Sequence, residues 1–170
     1  MSALRLVVCD VDGTLVDSQG DILAAMSAAF GGLDLAAPPR AAVLSVIGLS
    51  LDAAVARLAP GLDAPHRDDL VRRYRDAYAA RRALDAGRGH APLFAGAAET
   101  LTELGARPDT LLGLATGKSR RGLDAVLEMH GLAGCFATIQ VADHHPSKPH
   151  PSMLDAALAE TGVAPDDAVM

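Results

Sequence analysis

Short apolar runs alternate with segments of helical periodicity at both ends of this chain. Leu4 to Cys9 is a Val-rich run that breaks off into Asp10-Val11-Asp12-Gly13, the pattern of a strand buried on both faces. Thr110 to Ala115 repeats that pattern and closes on Thr116-Gly117-Lys118; Phe136 to Val141 repeats it more weakly and closes on Ala142-Asp143. Helical spacing follows in each case. Gly96 to Leu104 places Ala97, Leu101 and Leu104 on one face, Ser119 to His130 places Leu123, Val126 and Leu127, and Pro151 to Thr161 places Leu154, Ala157 and Leu158. Gly105, Gly131 and Gly162 stand where these helices should stop. Strands alternating with helices predict an α/β fold: a Rossmann-like parallel sheet with right-handed crossovers, whose ligands gather beyond the carboxyl ends of the strands.

From 17 to 89 the alternation fails and the pattern is helical throughout, with helices expected over Asp21 to Phe30, Arg40 to Val46, Leu51 to Leu58 and Pro65 to Leu84. The expected organisation is therefore an α/β core from 1–16 and 90–170, interrupted by a helical cap over 17–89. Gly20 on one side, and Gly87, Gly89 and Pro92 on the other, are the expected hinges.

Composition narrows the possible roles. The 170 residues are half apolar, enough for one substantial core and a small appended unit. Two cysteines, Cys9 and Cys135, do not make a disulfide scaffold, and a reducing cytoplasm is the expected location. No stretch reaches the ~20 apolar residues of a membrane span, and the opening MSALRLVVCDVDG lacks the features of a secretory leader. A net charge of −6 with 3% aromatic residues argues against nucleic acid as a partner. It leaves room for a small anion in a locally positive site, on a monomer or homodimer.

Candidate chemistry sits at the strand ends. In an extended segment, side chains two apart point the same way, so Asp10 and Asp12 converge on one point. Carboxylates so close repel unless a divalent cation or a division of labour separates their roles. Gly13 allows a sharp turn that exposes backbone amides to an anion. A calcium-type turn or a plain acidic loop would look similar. Thr116 and Gly117 offer a hydroxyl and an amide where a strand feeds a helix, although Thr116 alone could be an ordinary helix cap. Lys148, within Ser147-Lys148-Pro149-His150-Pro151, precedes a third helix. Three such features after three successive strands form a stronger signal than any one of them.

Taken together, DVDGT, a hydrophobic run ending in ATGK, and KPHP resemble the first three motifs of the haloacid dehalogenase-like superfamily. The helical insertion after the first motif is similar to the C1 cap of the subgroup holding phosphoglycolate phosphatases and beta-phosphoglucomutases. KPHP with the continuation Leu15 to Ser18 resembles the phosphoglycolate phosphatase branch most. The resemblance implies that Asp10 attacks phosphorus to form an aspartyl phosphate and that Asp12 acts as acid and base. It further implies that Asp10 and the Asp12 main-chain oxygen bind Mg²⁺, while Thr116, Gly117 and Lys148 hold the transferring oxygens. A small phosphorylated metabolite, phosphoglycolate first among them, is the implied substrate. Dehalogenases of this superfamily lack the second aspartate, and phosphonatases use a cap lysine that the insertion does not contain. Two alternatives stand beside a phosphatase: a phosphosugar mutase like beta-phosphoglucomutase, and a non-catalytic phosphate-binding module. The second applies only if the chain ends at Met170: the family's fourth motif, an acidic strand end, is not found in these 170 residues, and Asp166 to Met170 resembles only the opening of that strand. The lost carboxylate is expected to weaken metal binding and to leave the 170 residues alone inactive.

Three further groups carry weaker expectations. Gly48, between two cap helices, is placed where related caps meet the substrate. Arg72, Arg73, Arg75, Arg81 and Arg82 are expected mostly on the solvated face of a helix whose inner face is Leu70, Val71, Tyr74, Ala77 and Tyr78, with one of them available to a substrate carboxylate. His144 and His145 are expected to be loop residues, and His150 to start a helix rather than to react.

Overall fold

The protein is described by a computed structural model that covers residues 4–84 and 91–170. Four parallel strands make the sheet: β1 (Arg5–Cys9), β2 (Thr110–Thr116), β3 (Thr138–Val141) and β4 (Ala168–Val169), in the order β3-β2-β1-β4. Register is set centrally by Val7 opposite Leu112, and β4 pairs through Leu6 opposite Ala168. β3 is shorter than the apolar run suggested, but Ala137 still donates to the Leu112 carbonyl at 2.8 Å, so pairing begins just before it.

Three helices belong to the core: α5 (Ala97–Gly105), α6 (Arg120–Met129) and α7 (Ser152–Thr161). Leu112 and Leu114 of the sheet pack with Leu101 of α5 and with Leu123 and Val126 of α6, all buried. Leu6, Val8 and Ala115 form a second cluster with Met153 and Ala157 of α7. Alternate strand residues thus feed two apolar layers, which is why the strands read as continuous apolar runs. The Ser119 hydroxyl, not Thr116, accepts from the Gly122 amide at the start of α6. Gly162, at φ 68°, ends α7.

Between β1 and α5 come α1 (Gln19–Gly31), α2 (Arg40–Leu44), α3 (Leu51–Leu58) and α4 (Ala64–Leu84). These helices have a core of their own around Met26, Phe30, Val43, Val55 and Leu70. Leu70 and Val71 of α4 are buried, while Tyr74 and Tyr78 are half-buried on the same side of that helix. Gly20 does not act as a hinge: it lies in the first turn of α1, because that helix begins two residues earlier than its apolar pattern and absorbs the glycine. Gly87 and Gly89 lie outside the described residues. The chain's exit and return are tied together instead. Asp17 donates to the Pro92 carbonyl at 2.8 Å, Phe94 to that of Leu15 at 2.9 Å, and Val16 bridges Leu93.

Candidate active site

Asp10 follows the last residue of β1. Its Oδ1 accepts from the Val11 amide at 2.7 Å, and its Oδ2 lies 2.9 Å from Lys148 Nζ. Lys148 comes from the loop after β3, just ahead of α7, and its peptide bond to Pro149 is cis. Its ammonium nitrogen is buried. Nζ is ion-paired with Asp10 and makes no further hydrogen bond among the described residues. A buried ammonium in that state favours an incoming anion.

Asp12 lies in the turn that Gly13 completes at φ 83°, with Gly13 donating to the Val16 carbonyl at 3.0 Å and Leu15 and Val16 both donating to that of Val11. The two aspartates end up with separate partners. Asp12 Oδ1 accepts from the Ser18 hydroxyl at 2.6 Å and pairs with Lys118 Nζ at 3.0 Å. Neither contact uses Oδ2. Lys118 is largely buried and lies 5.0 Å from the centroid of the Tyr78 ring, which reaches over from α4. Burial alone would lower the pKa of this ammonium; the charge of Asp12 and the contact with Tyr78 outweigh burial and raise it above the ordinary lysine range. The Tyr78 hydroxyl is itself raised, chiefly by burial. Beside Asp10, burial and then the charge of that carboxylate push the Cys9 thiol up, away from reactive thiolate.

Thr116, at the end of β2, is fully buried and accepts from the Lys118 amide through Oγ1 at 3.2 Å. Its hydroxyl shapes the turn that carries Gly117 and Lys118. Gly117 meets the cap directly: a Cβ built there would lie 2.2 Å from the Leu49 carbonyl oxygen and 2.6 Å from that of Gly48. Gly48, at φ 93°, is close to Asp10, since a Cβ there would lie 3.5 Å from Asp10 Oδ2. The neighbouring Ser50 amide donates to the Ser147 hydroxyl at 2.9 Å, fastening the cap loop to the residue before Lys148. The structure thus brings Asp10, Asp12, Gly13, Gly48, Thr116, Gly117 and Lys148 to one end of the sheet.

Sequence reasoning named Ser18, Lys118 and Tyr78 only within the Leu15–Ser18 run, the ATGK run and a helix inner face, and gave none of them a site role. Lys118 adjoins Thr116-Gly117, which was the available signal; the position of Tyr78 over Lys118 carries no local signal, because only the fold sets α4 over β2. The arginines divide differently from the expectation of one solvated face. Arg72 and Arg73 pair with Asp69, and Arg81 reaches the largely buried Asp21 at 3.3 Å, whereas Arg75 and Arg82 line a cavity. His145 bridges Gln140 Oε1 at 2.9 Å and the Ser152 hydroxyl at 2.8 Å, and His150 accepts from the Ser152 amide at the start of α7. The cavity, about 260 Å³, opens between cap and core and is shared by Asp12, Gly48, Gly117 and Lys118.

The ligands that Asp10 and Asp12 themselves could offer, carboxylate and main-chain oxygens, are the set that suits a hard divalent cation. No third acidic, His or Cys side chain completes a metal cluster among the described residues. A cation such as magnesium, which keeps water and takes phosphate oxygens, is compatible with so few protein ligands.

Residues 7–170 match the profile of the haloacid dehalogenase-like hydrolases. The chain belongs to that family. It is 34% identical over 163 residues to the probable phosphatase IndB of Dickeya dadantii, spanning 92% of this chain and 67% of that protein. It is 28% identical over 182 residues to a phosphoglycolate phosphatase of Vibrio cholerae, spanning all of this chain and 76% of the relative. The crystal structure of a predicted phosphoglycolate phosphatase from Haemophilus somnus superposes with a TM-score of 0.82 at 22% identity, covering 99% of this chain and 76% of that one, and shows the shared fold. No helix among the described residues is long and apolar enough to cross a membrane.

Lys118→Met is expected to destabilise the protein by about 3 kcal/mol, because it strands the Asp12 carboxylate in a largely buried site. Adding Asp12→Asn should recover most of that loss. Urea unfolding of the two single variants and the double variant gives the coupling directly; strictly additive effects would mean the pair contributes nothing.

Proposed function

We propose that this protein is a Mg²⁺-dependent phosphatase that hydrolyses a small phosphomonoester through an aspartyl phosphate on Asp10. The observation that carries this reading is the buried Lys148 ammonium, ion-paired with Asp10 Oδ2 at 2.9 Å and with no further hydrogen bond among the described residues. It is a cation held ready beside a carboxylate, and a phosphoryl oxygen satisfies it.

Substrate would enter with its phosphoryl group between Asp10, Lys148 and the turn at Thr116-Gly117. Asp10 attacks phosphorus as the bond to the leaving oxygen breaks. Asp12 donates a proton to that oxygen, releasing the alcohol and leaving phosphate esterified to Asp10. A water then attacks the same phosphorus, gives its proton back to Asp12, and frees inorganic phosphate and the Asp10 carboxylate. Ser18 and Lys118 both hold Oδ1 of Asp12, which leaves Oδ2 to carry the proton in both steps. The Gly48 to Ser50 loop, fastened to Ser147, limits water around the nucleophile. Mg²⁺, held by the Asp10 carboxylate and the Asp12 main-chain oxygen, would supply charge neutralisation between anionic nucleophile and anionic substrate.

Phosphoglycolate, the substrate in the name of the Vibrio cholerae relative, is the first ester to test. Phosphate release is expected to rise with added Mg²⁺ and to fall by at least about tenfold with chelator. Release unaffected by chelator would overturn the metal assignment.

A further inference from the structure

The cavity beside Asp12 has two unlike halves. Its charged side carries Asp52, Arg75, Asp76, Arg82, Arg121 and Asp143, where two ion pairs are within reach: Arg75 lies 3.9 Å from Asp52, and Asp76 lies 3.4 Å from Arg72. Its inner wall, supplied by the cap, is apolar. Met26, Val43 and Val46 are buried there, and Ile22, Ile47 and Leu51 complete it. Tyr74 and Tyr78 close one side with rings stacked at 5.9 Å between centroids, and the Tyr78 ring is already engaged by Lys118. The inner wall therefore offers faces and methyl groups but few donors or acceptors.

The proton that Asp12 delivers goes to the leaving oxygen, so whatever is attached to that oxygen points into the space Asp12 shares with these side chains. We infer that the preferred substrate is a phosphomonoester of an apolar alcohol, with a ring or branched hydrocarbon body, and that the cap wall recognises that body. This rests on the phosphatase reading above and narrows its substrate. Size agrees: an apolar cavity of about 150 Å³ is enough for a benzene ring, and this one measures about 260 Å³. A sugar phosphate would bring hydroxyls against the apolar part of the wall formed by Met26, Val43, Val46 and Ile47, and each hydroxyl left unpaired there weakens binding. A carboxylate such as that of phosphoglycolate would need a cation. Arg82, half-buried on the cavity wall, and Arg121, both without an acidic partner among the described residues, are the side chains that would supply it, and they make the competing outcome testable.

The experiment has two arms. In the first, kcat/KM of the protein is measured for phenyl phosphate, butyl phosphate, phosphoglycolate and glucose 6-phosphate. Phenyl phosphate is expected to exceed phosphoglycolate and glucose 6-phosphate by at least about tenfold, with Ile47→Asn reducing that ratio. A preference for phosphoglycolate overturns the inference in favour of an acidic ester, with Arg82→Met and Arg121→Met showing which cation receives the carboxylate, and a preference for glucose 6-phosphate overturns it too. In the second arm, calorimetry compares phenylphosphonate with methylphosphonate on the Asp10→Asn protein, where turnover plays no part. The ring should tighten binding at least about tenfold. Equal affinity overturns the inference even if esters are hydrolysed. Tighter binding of the phenyl compound without hydrolysis of any ester retains the apolar recognition and removes the phosphatase reading instead.

Discussion

The Asp10→Asn protein is expected to fold and to release phosphate at least about 10⁴-fold more slowly than the parent, with the loss in kcat rather than KM. The amide is isosteric, so its oxygen can keep the hydrogen bond from the Val11 amide that now runs at 2.7 Å. It is not a nucleophile toward phosphorus, and it no longer offers Lys148 a negative charge. A buried lysine beside a neutral amide should bind an anion at least as well as before, since the competing carboxylate charge is gone. Inorganic phosphate should therefore bind the variant no more weakly than the parent, which titration calorimetry measures. Rates within tenfold of the parent would mean that phosphorus is attacked by something other than Asp10, and the covalent mechanism would fall.

Much of this arrangement is visible in the sequence because it is local. A strand that ends in Asp10-Val11-Asp12-Gly13 must present two carboxylates and a turn within a few ångströms, whatever the rest of the chain does. The same holds for Thr116-Gly117 at the end of β2. Parallel topology then requires those ends to be neighbours, and the pairing of Cys9 with Leu114 makes them so. What the sequence conceals is the partner of each group. Nothing in Leu15 to Ser18 says that Ser18 turns back onto Asp12, and nothing near Tyr78 says that it lies over Lys118, forty residues further along the chain. These contacts depend on how α4 is carried across the core, a tertiary outcome without a periodic signature. Gly20 fails as a hinge for a related reason. Glycine's helix penalty is only about 1 kcal/mol, and the buried face of α1, with Ile22, Met26 and Phe30, easily exceeds it. Arginines on α4 were legible as a set but not individually, because a helix face turns by 100° per residue and the cap packs against more than one side of this helix. Arg81 turns inward to Asp21 while Arg82 faces the cavity.

Gly117→Ala should reduce kcat by about 100-fold while leaving the fold intact, the cost of a displacement on the order of 1 Å at a reacting centre. The added methyl would sit 2.2 Å from the Leu49 carbonyl oxygen and 2.6 Å from that of Gly48, well inside contact distance. Both obstacles are backbone atoms, so no side-chain rotation relieves the clash, and the strand end that carries Gly117 is fixed by the pairing of Thr116 with Val141. The cap loop is the part that yields. As it retreats, the bond from the Ser50 amide to Ser147 lengthens and breaks, and Gly48 leaves the neighbourhood of Asp10 Oδ2. Water then reaches Asp10 and the loop no longer bounds the proposed phosphoryl site. Gly61→Ala is the matched control, because a Cβ there meets nothing within 4 Å and its backbone is not left-handed; it should leave kcat unchanged. Steady-state kinetics on both variants, with amide exchange of residues 48–50 as a monitor of the loop, separates the alternatives. Faster exchange together with the loss of rate ties activity to the closed loop, whereas full activity in Gly117→Ala would show that the contact between Leu49 and Gly117 is not part of the working arrangement.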